Sequence, residues 1–231
     1  MRELTITASK RLVAGGILWA SLVQMFVVNN VIVLPRATNQ NLVHEIISAL
    51  GVTRCGHVGG VRFCSPLHEE ANAAWIIGGV CLAAGALLNM AVVPPGRTRN
   101  LAFGALAVSG LGLLSSGLNP YNLRPALHLL SAGTCFFCGG VGALLLGGLI
   151  RRAHRPLWGT LGVVCGVTTL VFTVLTGLRP DPGVQGLFER TSAWPTVVWI
   201  IGSGGSIALQ AWRASRSSGA ERTPGVSPSD G

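Results

Sequence analysis

Ser48, His68 and His128 are the side chains through which this chain could do covalent chemistry. A hydroxyl beside an imidazole is the minimum for a nucleophile and its general base, and an imidazole can also ligate a metal. The stretch from His44 to Trp75 concentrates such groups. It holds two of the six cysteines, three of the five histidines and three of the eight acidic residues. His44 and Ser48 are four apart and share a face wherever the backbone is helical. His128 follows the corner Asn119-Pro-Tyr-Asn-Leu-Arg124-Pro125. It could act as base or metal ligand there, or simply bond a neighbouring helix. Glu189-Arg190 could bind a lipid phosphate, pair with the corner that carries Arg124, or form an interfacial ion pair.

Cys55 and Cys64 have Gly56, Gly59 and Gly60 between them. An oxidising exterior favours a disulfide. A metal site with His57 or His68 and a pair of free thiols are the alternatives, and the spacing matches no familiar zinc pattern. Cys135-Phe-Phe-Cys138 is formally C-x-x-C but lies in an apolar block, as do Cys81 and Cys165, where thiols behave as small hydrophobes. No metal or other cofactor is expected.

The elements that must position these groups are membrane helices. Apolar residues make up 49% of the chain, charged residues only 11%, and the mean hydropathy is +0.56. Soluble domains carry about a quarter charged residues. The apolar blocks are long enough to cross a bilayer, which takes roughly 20 helical residues. Six are expected, near 12–34, 71–93, 101–118, 126–150, 157–178 and 193–212, so the fold class is all-α, a compact bundle of six transmembrane helices. Gly162-Val-Val-Cys-Gly166 and similar small-residue spacings suit close helix approach. Asn29 and Asn30 lie near the outer end of the first helix and need a neighbouring group or water. In the exterior loop, 35–70, Leu42, Val43, Ile46, Ile47 and Leu50 fall on one helical face before Gly51, which predicts a short amphipathic helix on the membrane surface or packed over the bundle.

The net charge of +9 comes from basic residues in short clusters between apolar blocks, which excludes a nucleic-acid partner and instead reports topology. Eleven of the seventeen basic residues fall on the N-terminus, the second and fourth connections and the tail. The expectation is a multi-pass plasma-membrane protein with residues 1–11 and a disordered tail, 213–231, both cytoplasmic. No helix carries a charge near its midplane, which weighs against a proton-coupled transporter.

Ile46-Ile-Ser48-Ala-Leu-Gly51, then Cys64-Ser-Pro-Leu-His68 and Asn72 opening the second helix, resembles the signature of a six-helix bacterial membrane family, domain of unknown function 998. Its members show an S-D-L-G turn, an S-P-L element and that asparagine. Asn119-Pro120 through His128 is similar to the family's fourth-helix entry, and Leu187-Phe-Glu-Arg190 followed by Trp199 to its last helix. Asn72, Asn119, Arg124, Glu189 and Arg190 are the candidate binding residues. Ala49 stands where the family has its acidic residue, so a carboxylate role there is either lost or taken by Glu45. The family is also similar, more distantly, to eukaryotic membrane proteins implicated in lipid remodelling and asymmetry.

Two functions fit. The first is a non-catalytic lipid-organising, accessory or protective protein whose partners are membrane lipids and other membrane proteins. It follows from the missing carboxylate at Ala49. The second is an exofacial enzyme, such as a hydrolase of a lipid or isoprenoid, using Ser48, His68 and His128. A small-molecule transporter comes third.

Overall fold

The computed structural model describes residues 10–38, 41–58, 61–153, 155–178 and 182–220. The expectations for residues 1–9 and 221–231 lie outside the described residues. The six apolar blocks form six helices long enough to span a bilayer: α1 (Lys10–Arg36), α2 (His68–Val92), α3 (Arg97–Leu118), α4 (Pro125–Arg152), α5 (Pro156–Gly177) and α6 (Gln185–Ala220). Each packs on the next in sequence, and α1 packs on α6, so the helices close into a ring. Glycine permits that closure. A Cβ on Gly16 would sit 2.6 Å from the Ala208 nitrogen in α6, and one on Gly110 would sit 2.6 Å from the Gly79 oxygen in α2. Backbones this close gain dispersion contacts that lipid cannot match. Ile17, Ile77, Leu101, Leu130, Leu157 and Val198 project outward as an apolar belt.

Several helix ends follow from local chemistry. Pro125 and Pro156 open α4 and α5, where a proline's missing N–H costs nothing. Glu69 and Glu70 occupy the first turn of α2, favourable beside the positive end of its dipole, and α2 starts at His68 ahead of the expected boundary. The sixth helix differs more. The expected start lies near residue 193, yet α6 begins at Gln185 and carries Pro195 inside it. At its other end α6 continues through Ala220, eight residues into the stretch expected to be tail.

Helix α1 departs from α geometry between Val28 and Val33, where it becomes a π-helix, and it ends as a 3-10 turn over Leu34–Arg36. The wider turn buries Asn29, while Asn29 and Asn30 each donate to the carbonyl four residues back.

The loop between α1 and α2 forms a lid over one end of the bundle. The expected amphipathic helix is reduced to a 3-10 helix, Ile47–Gly51, after a turn in which the Asn41 side chain accepts from the Val43 and His44 N–H groups. Ser48, Ala49, Leu50 and Gly51 are buried, so this segment packs over the bundle. Val33, Val52, Phe63, Ala71 and Trp75 join it in a second apolar cluster under the lid. Beyond it, β1 (Gly56–Val58) and β2 (Val61–Phe63) form an antiparallel hairpin, with a Cys55–Cys64 disulfide closing its base. Thr38 and Cys64 exchange two hydrogen bonds, the Ser65 hydroxyl donates to the Leu50 carbonyl, and Thr53 and Asn122 pair across to the α3–α4 corner.

Candidate functional site

His128 stands near the start of α4, 2% exposed, with the Tyr121 ring edge-on at 5.8 Å and the Trp75 ring at 6.4 Å. Its Nδ1 lies 2.8 Å from the Asn119 carbonyl oxygen and 3.2 Å from that of Ser116. Carbonyls only accept, so Nδ1 carries a proton and donates to both. The other ring nitrogen, Nε2, is 3.0 Å from the Ser48 hydroxyl of the lid. That hydroxyl is in turn 2.7 Å from Oε1 of Glu189 on α6. The second carboxyl oxygen, Oε2, accepts from the Ile47 backbone N–H.

The serine hydroxyl stands between the other two groups, Nε2 on one side and Oε1 on the other. A histidine, a serine and a glutamate from α4, the lid and α6 are thus fastened together through one hydroxyl.

Arg190 uses the same stretch of lid in a second way. It is 3% exposed, and its Nη1 donates to the carbonyls of Leu42 at 2.9 Å, Glu45, and Gly186 at 3.1 Å. Its guanidinium lies 5.8 Å from the Trp194 ring centre. The Gly186 and Leu187 N–H groups donate to the His44 and Val43 carbonyls. Adjacent Glu189 and Arg190 therefore grip the lid backbone from both polarities, one accepting and one donating. Burial pushes the Glu45 carboxyl above its ordinary value, and the charges of His44 and Arg190 oppose that rise.

The remaining sequence candidates fall around this grip. Asn72 donates to the Gly51 carbonyl at 2.9 Å, anchoring the end of the 3-10 helix to α2. Asn119 donates back to Ser115 at 2.8 Å, and its side-chain oxygen accepts from Arg124 at 3.2 Å, which fixes the corner whose carbonyl orients His128. His68 does not join Ser48 and His128. Its Nδ1 faces the Ser65 carbonyl at 3.0 Å, and it does not line the cavity below them. The sequence spacing could not separate the two histidines, because only the fold decides which of them, His68 on α2 or His128 on α4, comes under the lid. Among the described residues no group of three or more His, Cys, Asp or Glu side chains is arranged to hold a metal ion.

Below Ser48, His128 and Glu189 lies a cavity of about 90 Å³ in the ring of helices. Ile47 and Ser48 form its roof. Phe26, Trp75, Leu82, Leu113, Phe136, Trp194 and Ile200 supply much of its wall, and Asn29, Ser109, Thr169 and Thr196 add polar points. The residues that sequence reasoning missed here are the ones on α5 and α6, Thr169, Ser192 and Thr196. Their hydroxyls carry no motif, and small hydroxyl residues inside apolar helices read as packing.

The fold and this arrangement define a class: an integral membrane protein of six spans whose helices ring an intramembrane cavity roofed by a lid. The chain belongs to the family described as Protein of unknown function (DUF998), whose model matches residues 12–205. A comparison with curated proteins and with solved structures finds no match.

Proposed function

We propose that this chain is a non-catalytic, lipid-organising membrane protein that holds one lipid chain in the cavity beneath its lid. The observation that carries the reading is the cavity's polarity: largely apolar walls beneath a roof that carries Ser48, His128 and Glu189. An acyl or prenyl chain matches such walls, and the roof suits a head group. The lid faces the cell exterior and both termini face the cytoplasm of a plasma-membrane protein, supported by the basic-residue count and by the Cys55–Cys64 disulfide in the lid. Membrane lipids are its partners, with other membrane proteins as further candidates.

Native mass spectrometry of the protein released from nanodiscs tests this. A retained lipid is expected with the wild type. Ala132→Phe, which fills the cavity from α4, should release it while circular dichroism stays unchanged. A wild-type protein that emerges free of lipid overturns the reading.

The 3.0 Å approach of His128 to Ser48 supports a second reading, an exofacial hydrolase with Ser48 as nucleophile and His128 as base. Two observations weigh against it. Ser48 is also held by Glu189, and two neighbouring N–H groups are already engaged, Ile47 by Glu189 and Ala49 by the Ile46 carbonyl, which removes them as oxyanion donors. A fluorophosphonate probe separates the readings: labelling that Ser48→Ala abolishes would establish the hydrolase.

A further inference from the structure

The polar atoms of the cavity are nearly all bonded within the protein. Ser109 donates to the Cys135 carbonyl at 2.7 Å, Ser116 to Gly112 at 3.0 Å, Ser192 to Phe188 at 2.9 Å, and Thr169 and Thr196 share a bond of 2.9 Å. Among the fully buried side-chain polar atoms of the described residues lining the cavity, Asn29 Oδ1 stands apart. The Asn29 amide nitrogen donates to the Met25 carbonyl at 2.9 Å, which fixes the amide's orientation and leaves Oδ1 as an acceptor. That oxygen is buried and has no hydrogen-bond partner among the described residues, and Asn29 itself is 3% exposed and lines the cavity. A buried amide oxygen without a donor is costly. The π-helix over Val28–Val33 is a second departure at the same point, and such turns are frequent at functional sites.

The charge inventory narrows what could meet it. No Lys or Arg lines the cavity among the described residues, and Glu189 is the acid at its roof. A phosphate head group would find no permanent cation there and a carboxyl facing it. A neutral head that brings an O–H donor fits both facts.

Resting on the lipid-holding reading above, we infer that the cavity selects an uncharged, alcohol-headed lipid whose hydroxyl donates to Asn29 Oδ1. The class is that of diacylglycerols, ceramides and polyprenols, in contrast to phospholipids.

The test uses the full-length protein in nanodiscs doped with one of three probes of identical acyl chains: 1,2-dioleoylglycerol, its 3-O-methyl ether, and dioleoyl phosphatidic acid. Retention is read by native mass spectrometry. The alcohol should be retained over the ether by about tenfold, the effect of leaving one buried acceptor unmet, and over phosphatidic acid by at least as much. Asn29→Leu should bring the alcohol-to-ether ratio to about one while ether binding persists. Equal retention of alcohol and ether by the wild type overturns this inference and leaves lipid holding intact, as does a preference for phosphatidic acid. Retention of none of the three overturns lipid holding itself. The wild-type ratio stands without the variant, so a misfolded Asn29→Leu protein does not remove the test.

Discussion

Ser48 and Glu189 are separated by 141 positions in the chain and by 2.7 Å in space, and their hydrogen bond joins the lid to the last helix at the roof of the cavity. With His128 on the other side of the same hydroxyl, the bond makes Ser48 the pin through which three separate elements are held.

Ser48→Ala should loosen the lid, because it leaves Glu189 Oε1 and His128 Nε2 without their shared partner. The expected cost is about 1–3 kcal/mol of local stability. Hydrogen exchange of the amides of residues 47–52 should accelerate accordingly. Unchanged exchange there would show that the lid is held elsewhere.

Arg190→Met removes the donor that serves the carbonyls of Leu42, Glu45 and Gly186. Three carbonyls, two of them in buried bonds, then lose a charged partner, and the lid should open by about 2 kcal/mol. Limited proteolysis between residues 41 and 47 reports it. Arg190→Lys should recover part of the effect, since one ammonium can reach fewer of the three acceptors in the required geometry.

Gly51→Ala tests the seat of the 3-10 helix. A Cβ at that position would lie 2.5 Å from Trp75 Cζ3 and closer still to the Asn72 side chain. Overpacking of this kind costs about 1–3 kcal/mol. Thermal unfolding in detergent should fall by several degrees, and the Asn72–Gly51 hydrogen bond should be the first to break.

The Glu45 carboxyl gives the lid a pH dependence of definite sign. Its value in the closed lid is raised by burial above that in an open lid. The closed state therefore binds the proton more tightly, so this contribution to closure is present at low pH and fades as pH rises through the raised value. Exchange of the lid amides should be slower at about pH 4 than at about pH 7 after correction for intrinsic rates. Glu45→Gln should flatten the difference; a slope that persists in that variant assigns the dependence to another group.

Replacing Cys55 and Cys64 by serine should have a narrow effect. Freeing so short a loop costs about 2–3 kcal/mol by chain entropy. The Thr38–Cys64 backbone ties and the Ser48 hydrogen bonds do not depend on the cross-link. Exchange should rise in 56–63 and stay constant in 47–51.

The six helices were legible in the sequence because lipid demands unbroken apolar blocks, and each block names its own span. The lid disulfide was legible too, as one of three possibilities. Helix boundaries that depend on partners were not. Glu189 and Arg190 read as an interfacial pair ahead of the sixth helix, whereas they sit inside it, stabilised by lid backbone groups more than 140 positions away. The amphipathic pattern of Leu42, Val43, Ile46, Ile47 and Leu50 identified a segment that packs, but its helical form gave way to a 3-10 turn once those same backbone groups were claimed by Glu189 and Arg190. Ser48 and His128 were recognisable by type, while their meeting was visible only in three dimensions.

The closed ring also sets an order of events during synthesis. Helices α1 to α5 and the lid emerge before Gly204 exists to receive Gly16, and before Glu189 and Arg190 exist to clasp the lid. Until the sixth span enters the bilayer, the ring has an open seam and the chamber is continuous with the surrounding lipid. On the proposed reading, a lipid would have its route into the chamber through that seam before the ring is completed. A chain that stops after α5 would leave the Ile47 N–H, the Ser48 hydroxyl and the Leu42 and Glu45 carbonyls without the partners that α6 supplies.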